Sequence, residues 1–288
     1  MRLISLLAIA TFTAAACCEV PTDAISVVPY PNSVEVKCGE FEIKGAAFNY
    51  EAALDQRSKN IVQGFAQQLS LVTGVESAVT EGATISGVNF VLSSTVPAEG
   101  YKISISKNGV KVEAADLNGF NYAIQTLKQM LPVEIYGKAV AADKSWSLQC
   151  CTIEDAPRFG YRGMHMDESR HFFGIDAVKR YLDIMEIHKL NTLHWHLTDD
   201  QGWRVEIKKY PKLTEVGSIR KKTVIGHIYK SKDYDTTPYG EGMWYSQEQI
   251  REIIEYAAAK GITIIPEIDL PGHMLAALAS YPELGCTG

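Results

Sequence analysis

What the chain lacks narrows it first. No apolar run reaches the roughly 20 residues that a membrane-spanning helix needs. The basic runs are short: Lys208-Lys209 and Arg220-Lys221-Lys222 suit solvated loops, and a net charge of -6 argues against nucleic acid as a partner. Cysteine is scarce and unpatterned. Cys17-Cys18 and Cys150-Cys151 are adjacent pairs, while Cys38 and Cys286 stand alone, so neither metal-ligand spacing nor a disulfide framework is readable. Internal repeats and low-complexity tracts are missing too. With 46% of its residues hydrophobic and 22% charged, the chain has an ordinary globular composition, and 288 residues leave room for two domains.

Residues 1–18 read as a signal peptide. Arg2 supplies the positive end, Leu3 to Phe12 the short apolar run, and Ala14-Ala15-Ala16 the small residues before a cleavage point. Cleavage just before Cys17 or Cys18 leaves an N-terminal cysteine open to lipidation, and hence to membrane attachment; plain secretion is the other outcome. Either way the mature protein is expected to be exported, to a periplasm, a cell surface or the medium.

Residues 19–152 read as a small α+β domain. Ile61, Phe65, Leu69 and Val72 recur at helical spacing, as do Tyr122, Ile124, Leu127 and Met130. Between them Tyr101–Ser106 and Val110–Ala114 alternate around Lys107-Asn108-Gly109, a hairpin signal. No catalytic constellation is found there.

From residue 153 to 288 the pattern changes to strand–helix alternation, which indicates a parallel sheet. Arg162–Asp167 is the first strand, and Ile175, Val178, Leu182 and Met185 mark the helix after it. Thr192-Leu193-His194-Trp195-His196-Leu197 is the second strand, with Leu193, Trp195 and Leu197 on one face and both histidines on the other. It runs into Thr198-Asp199-Asp200-Gln201-Gly202-Trp203-Arg204, and ionisable groups gathered at a strand end point to a site. A long segment from Asp199 to Tyr245 follows, of a length that is usually functional or disordered. Ser246 and Gln249 form a capping box for the next helix. Ile262–Ile268 is the third strand, a continuous apolar run expected to be buried on both faces. Another helix is expected to begin near Gly272.

The fold class is therefore α/β: a truncated TIM (β/α)8 barrel, its first three βα units, behind a small α+β domain. A closed barrel takes about 250 residues and eight such units. Only three strands are read here, so the chain is expected to be a piece of a longer protein.

Four ordered blocks resemble the family 20 glycoside hydrolases, the β-N-acetylhexosaminidases. They are Pro157-Arg158-Phe159-Gly160-Tyr161-Arg162-Gly163, Asp167-Glu168-Ser169-Arg170-His171-Phe172, Lys189-Leu190-Asn191 leading into the second strand, and Ile265-Pro266-Glu267-Ile268-Asp269-Leu270-Pro271-Gly272-His273. Gly119-Phe120-Asn121-Tyr122 and Gln125-Thr126-Leu127 extend the likeness into the small domain. The resemblance implies removal of terminal non-reducing N-acetylglucosamine or N-acetylgalactosamine from glycans. The substrate's own acetamido oxygen would act as nucleophile, a departure from the two-carboxylate scheme. In the family an aspartate orients the acetamido group and the neighbouring glutamate protonates the leaving oxygen, within a His-x-Gly-Gly-Asp-Glu block. That block is absent from these residues, and neither Asp167-Glu168 nor Glu154-Asp155 replaces it, so the chain is expected to be inactive alone.

What the resemblance leaves is one flank of a pocket. Arg162 is expected to grip sugar hydroxyls, the alternative being a structural ion pair. Asp199 and His273, supported by Asp269, are expected to form a relay to the missing acid. His196 is placed at the pocket wall, with a packed histidine as the alternative. Trp203, Trp244 and Tyr245 offer aromatic faces or serve as anchors. No metal and no cofactor is expected. Two rivals stay open: a metal hydrolase using His194, His196, Asp199, Asp269 and His273, and a non-catalytic glycan-binding surface lipoprotein.

Overall fold

Local chemistry accounts for the first group of elements. The computed structural model describes residues 25–286 apart from 83, 85 and 228, so the signal-peptide reading of residues 1–18 lies outside the described residues. β1 (Ser33–Glu42) and β2 (Phe48–Tyr50) come first. α1 (Gln56–Thr73) begins where the Asp55 carboxylate accepts from the backbone N–H groups of Arg57 and Ser58, which have no intrahelical acceptor. It ends at Gly74, whose φ of 68° is open to glycine without strain. β3 (Val79–Glu81), β4 (Gly87–Leu92), β5 (Tyr101–Ser106), β6 (Gly109–Ala114), α2 (Leu117–Gln129) and β7 (Ser147–Asp155) follow.

These strands form one mixed sheet in the order β1-β7-β5-β6-β4-β2-β3. The hairpin forms as expected, but with a shifted turn: Ser106 pairs with Gly109, leaving Lys107 and Asn108 at the tip. Gly109 answers to packing instead, since a Cβ there would lie 2.7 Å from the carbonyl oxygen of Gly87 on the parallel neighbour β4. α1 and α2 cover the sheet and bury Phe48, Phe65, Leu69, Phe90, Phe120 and Leu127 in one core. Each such side chain contributes about 1.5–3 kcal/mol relative to exposure.

The second group begins with β8 (Gly163–Asp167), α3 (Ile175–Ile187) and β9 (Thr192–His196). Two short antiparallel pairs and a single helical turn fill the long segment: β10 (Thr198–Asp199) with β11 (Gly202–Trp203), α4 (Lys212–Glu215), and β12 (Thr223–Val224) with β13 (Tyr234–Asp235). α5 (Gln247–Ala259), β14 (Thr263–Glu267) and α6 (Leu275–Ser280) complete it. β8, β9 and β14 make a parallel sheet with β9 in the middle. Leu193, Trp195 and Leu197 pack with Val178, Leu182 and Met185 of α3 and Ile253 and Ala257 of α5. The capping box at Ser246 and Gln249 has both of its bonds.

The third strand is partly covered within this chain. Ile262 is buried, but Ile265 is 45% exposed and Ile268 42% exposed. Among the described residues β14 pairs only with β9.

The long segment is packed. Arg204 is fully buried. Its Nη1 donates to the carbonyl oxygens of Ser218 (2.7 Å) and Met243 (3.0 Å), its Nη2 to Ser169 (3.1 Å) and its Nε to Glu168 (3.2 Å). One guanidinium thereby ties both ends of the segment to the turn after β8. Tyr245 is buried and donates to Glu168 Oε1 at 2.8 Å, and Trp203 Nε1 donates to the Val205 carbonyl at 2.7 Å. Both aromatics are anchors. Burial lowers the Arg204 guanidinium to about 10 and pushes the Glu168 carboxyl up. Among the described residues no helix is long and apolar enough to cross a membrane.

Candidate functional site

Parallel strands bring their C-terminal ends to one side of a sheet, and here those ends are polar. Asp167, His196 and Glu267 stand in register across β8, β9 and β14. Side chains at the same register position project to the same face, so two acids flank one imidazole. Two residues earlier, His165 and His194 are paired in the same way.

Asp199, just past β9 and 2% exposed, is the hub. Its Oδ2 lies 2.6 Å from Arg170 Nη2 and 3.0 Å from His196 Nε2. Its Oδ1 lies 3.2 Å from His273 Nδ1 and accepts the Asp200 N–H at 2.7 Å. His273 reaches in from the turn after β14 with φ at 51° and its side chain 58% exposed. The Asp269 N–H donates to Thr198 Oγ1 at 2.9 Å, and its carboxylate clusters with Asp199 and His273. Asp199, His273, Asp269 and His196 are therefore brought together.

Arg162 is not among them. It precedes β8 and sits at the opposite, N-terminal end of the strand, about 15 Å away at the usual rise per residue. There its Nη1 pairs with Glu99 Oε2 at 3.0 Å, its Nη2 donates to the Tyr122 hydroxyl, and its Nε donates to the Lys189 carbonyl at 2.9 Å. Burial would raise the Glu99 carboxyl, but hydrogen bonds from Arg162, Asn118 and Asn191 outweigh it and hold the group low. The expected sugar-gripping role is corrected to a structural ion pair between the two groups of elements, because strand polarity carries this side chain away from the carboxylates.

The arginine at the correct end is Arg170. Its N–H donates to Asp167 Oδ1 at 3.1 Å, its Nη1 to Asp167 Oδ2 at 3.0 Å, and its Nε to Gln201 Oε1 at 2.9 Å. The side chain is 40% exposed, which leaves guanidinium surface open beside a carboxylate. Donors and acceptors side by side suit a vicinal diol. The available signal was position alone: Asp167-x-x-Arg170 at a C-terminal strand end.

Glu267 was also missed. Its Oε2 lies 2.5 Å from His194 Nε2 and 2.7 Å from His196 Nδ1. Burial opposes ionisation, but the contacts with His196 and His194 prevail and keep its carboxyl below the ordinary range. Nothing in the sequence marked it beyond its place as the last residue of β14. Ligand atoms of His165, His194 and Glu267 are close enough to share a cation, as are those of Asp199, Asp269 and His273.

Comparison with known proteins gives matches along most of the chain. A family model for "Glycosyl hydrolase family 20, catalytic domain" matches residues 159–288, and one for "Glycosyl hydrolase family 20, domain 2" matches residues 24–156. A beta-hexosaminidase of Porphyromonas gingivalis is 36% identical over 91% of the chain, which spans 32% of that relative. A beta-N-acetylhexosaminidase of Cellulomonas fimi is 33% identical over 92% of the chain, which spans 50% of it. The solved structure of Streptomyces plicatus N-acetyl-beta-hexosaminidase in complex with Thio-NAglucal superposes with a TM-score of 0.80 at 34% identity, covering 93% of this chain and 50% of that one. The chain thus spans half or less of the length of these relatives.

Proposed function

The chain belongs to glycosyl hydrolase family 20, and from that premise we propose that it is the N-terminal part of an exported β-N-acetylhexosaminidase. In this reading β8, β9 and β14 are the first three strands of a (β/α)8 barrel, and residues 19–152 form the small domain that buttresses it. The enzyme removes terminal N-acetylglucosamine or N-acetylgalactosamine with retention, the substrate's acetamido oxygen serving as nucleophile. Residues 1–18 direct export, with Cys17 or Cys18 the point of lipid attachment.

The observation that carries the reading is the single carboxylate of Asp199 meeting Arg170, His196 and His273 at C-terminal strand ends. Arg170 and Asp167 bind sugar hydroxyls. The Asp199–His273 pair, with Asp269 beside it, positions and tunes an acid supplied from outside these 288 residues, which hold no His-x-Gly-Gly-Asp-Glu block. Carboxylate contact sets the histidine tautomer, and the imidazole in turn stabilises a neighbouring acid's proton.

The test is hydrolysis of p-nitrophenyl N-acetyl-β-glucosaminide. The 288-residue chain is expected to release no p-nitrophenol, and a chain extended through a Gly-Gly-Asp-Glu strand end is expected to release it. In the extended chain Arg170→Ala raises KM and lowers kcat, while Arg162→Ala lowers thermal stability and leaves KM alone. Hydrolysis by the 288-residue chain, or the reverse behaviour of the two arginines, overturns the assignment of roles.

A further inference from the structure

The same inner face of the sheet carries a second group of side chains that the sugar chemistry does not use. His165 on β8 and His194 on β9 are register partners, and their rings meet edge to face with centroids 4.7 Å apart. Glu267 on β14 brings its Oε2 to 2.5 Å from His194 Nε2. One ligand atom from each of the three residues lies within 4.8 Å of the others.

We propose that His165, His194 and Glu267 form a binding site for a divalent transition-metal ion, zinc being the ion that fits best. Two imidazole nitrogens and one carboxylate oxygen make a donor set suited to zinc with an open fourth position. Magnesium and calcium prefer all-oxygen shells and are disfavoured by the histidines. The carboxylate has a neighbour outside the site: Glu267 Oε2 lies 2.7 Å from His196 Nδ1, and His196 Nε2 lies 3.0 Å from Asp199. Outer groups of this kind orient metal ligands and shift affinity by about 10- to 100-fold.

Sharing Glu267 has a consequence. An ion that draws this carboxylate toward His165 and His194 weakens its hold on His196, and through His196 on Asp199 and Arg170. Metal occupancy and sugar binding then oppose each other, so zinc acts as a reversible inhibitor at a site one step below the sugar. The metal site itself stands whether or not the hydrolase reading does, because its readout is the ion alone.

Untagged protein, stripped with chelator, is titrated with Zn²⁺, Co²⁺ and Mg²⁺ by calorimetry and visible absorption. The expected result is a single equivalent of Zn²⁺ per chain, no heat with Mg²⁺, and Co²⁺ d–d bands without a near-ultraviolet thiolate band. His165→Ala, at an exposed position that leaves the core intact, and His194→Gln, a polar replacement, are each expected to weaken Zn²⁺ binding by more than about tenfold. Circular dichroism verifies that both fold. No uptake by the wild-type protein overturns the site, as does unchanged binding by both variants. A thiolate band, which places the ion on cysteine, overturns it equally.

Discussion

Replacing Arg204 by methionine keeps the unbranched stem and removes the guanidinium that gathers the carbonyl oxygens of Glu168, Ser169, Ser218 and Met243. A buried acceptor left without a donor costs about 1–3 kcal/mol. Four of them would exceed the total stability of many domains if nothing offset the loss. The offset is the desolvation of the buried guanidinium, itself several kcal/mol, which the variant no longer bears. Burial already lowers Arg204 to about 10, so that desolvation is substantial. Breaking a buried charged network from one side typically nets about 3–5 kcal/mol of destabilisation. At about 2–4 °C per kcal/mol for a chain of this size, the melting temperature falls by about 6–20 °C. The assay is thermal unfolding by circular dichroism, with limited proteolysis to locate the damage. Early cleavage is expected between residues 205 and 244, because Arg204 holds both ends of that segment. Arg204→Lys recovers little, since one ammonium cannot reach four carbonyls in two directions. A melting temperature within about 2 °C of the parent, less than the usual shift per kcal/mol, would refute the reasoning.

Three further outcomes follow from particular side chains. Lys189 is buried among Tyr101, Thr126 and Asp155, and burial depresses its amine to about 8 from 10.5 in the unfolded chain. A depressed folded value means that stability from this group is full above 10.5 and is lost as pH falls through 8. Relative to Lys189→Met, the native protein therefore gains about 3 kcal/mol between those two pH values, measured by urea unfolding; a constant difference would sink the account. Gly109→Ala places a Cβ 2.7 Å from the Gly87 carbonyl oxygen, so β4 and β6 must part. A loss of about 1–3 kcal/mol is expected in the same unfolding assay, as for other overpacked sites. Tyr245→Phe removes the donor that meets Glu168 Oε1 at 2.8 Å, and about 1–3 kcal/mol is expected to go with it; an unchanged denaturation midpoint would show that water replaces the hydroxyl.

Much of the architecture was legible because it is written in local patterns. Of the stripe Ile175, Val178, Leu182 and Met185 the last three are buried and Ile175 is partly buried, and Ser246 with Gln249 caps α5 by the bonds their spacing calls for. Asp199 and His273 were legible as a pair only through resemblance, being distant in the chain and joined by the turn after β14. Arg162 and Arg170 show where reading failed. Both flank the same strand and both carry the same fork, so residue type does not separate them. Which end of β8 each occupies decides that one binds Glu99 and the other joins Asp167 and Asp199. Glu267 escaped notice for a related reason: its partners His194 and His196 lie on another strand, and only the register of β14 against β9 supplies them.

The sequence by itself determined the succession of strands and helices, the faces that seek apolar company, and the family to which the blocks point. Periodicity, caps and turn residues act over a few positions, so the chain carries them without reference to the rest. The tertiary structure alone decided which charges meet and which arginine stands at the carboxylate end. Those outcomes depend on distance and burial across strands, where a displacement of one strand length separates the Arg162–Glu99 pair from the cluster of Arg170, Asp167 and Asp199.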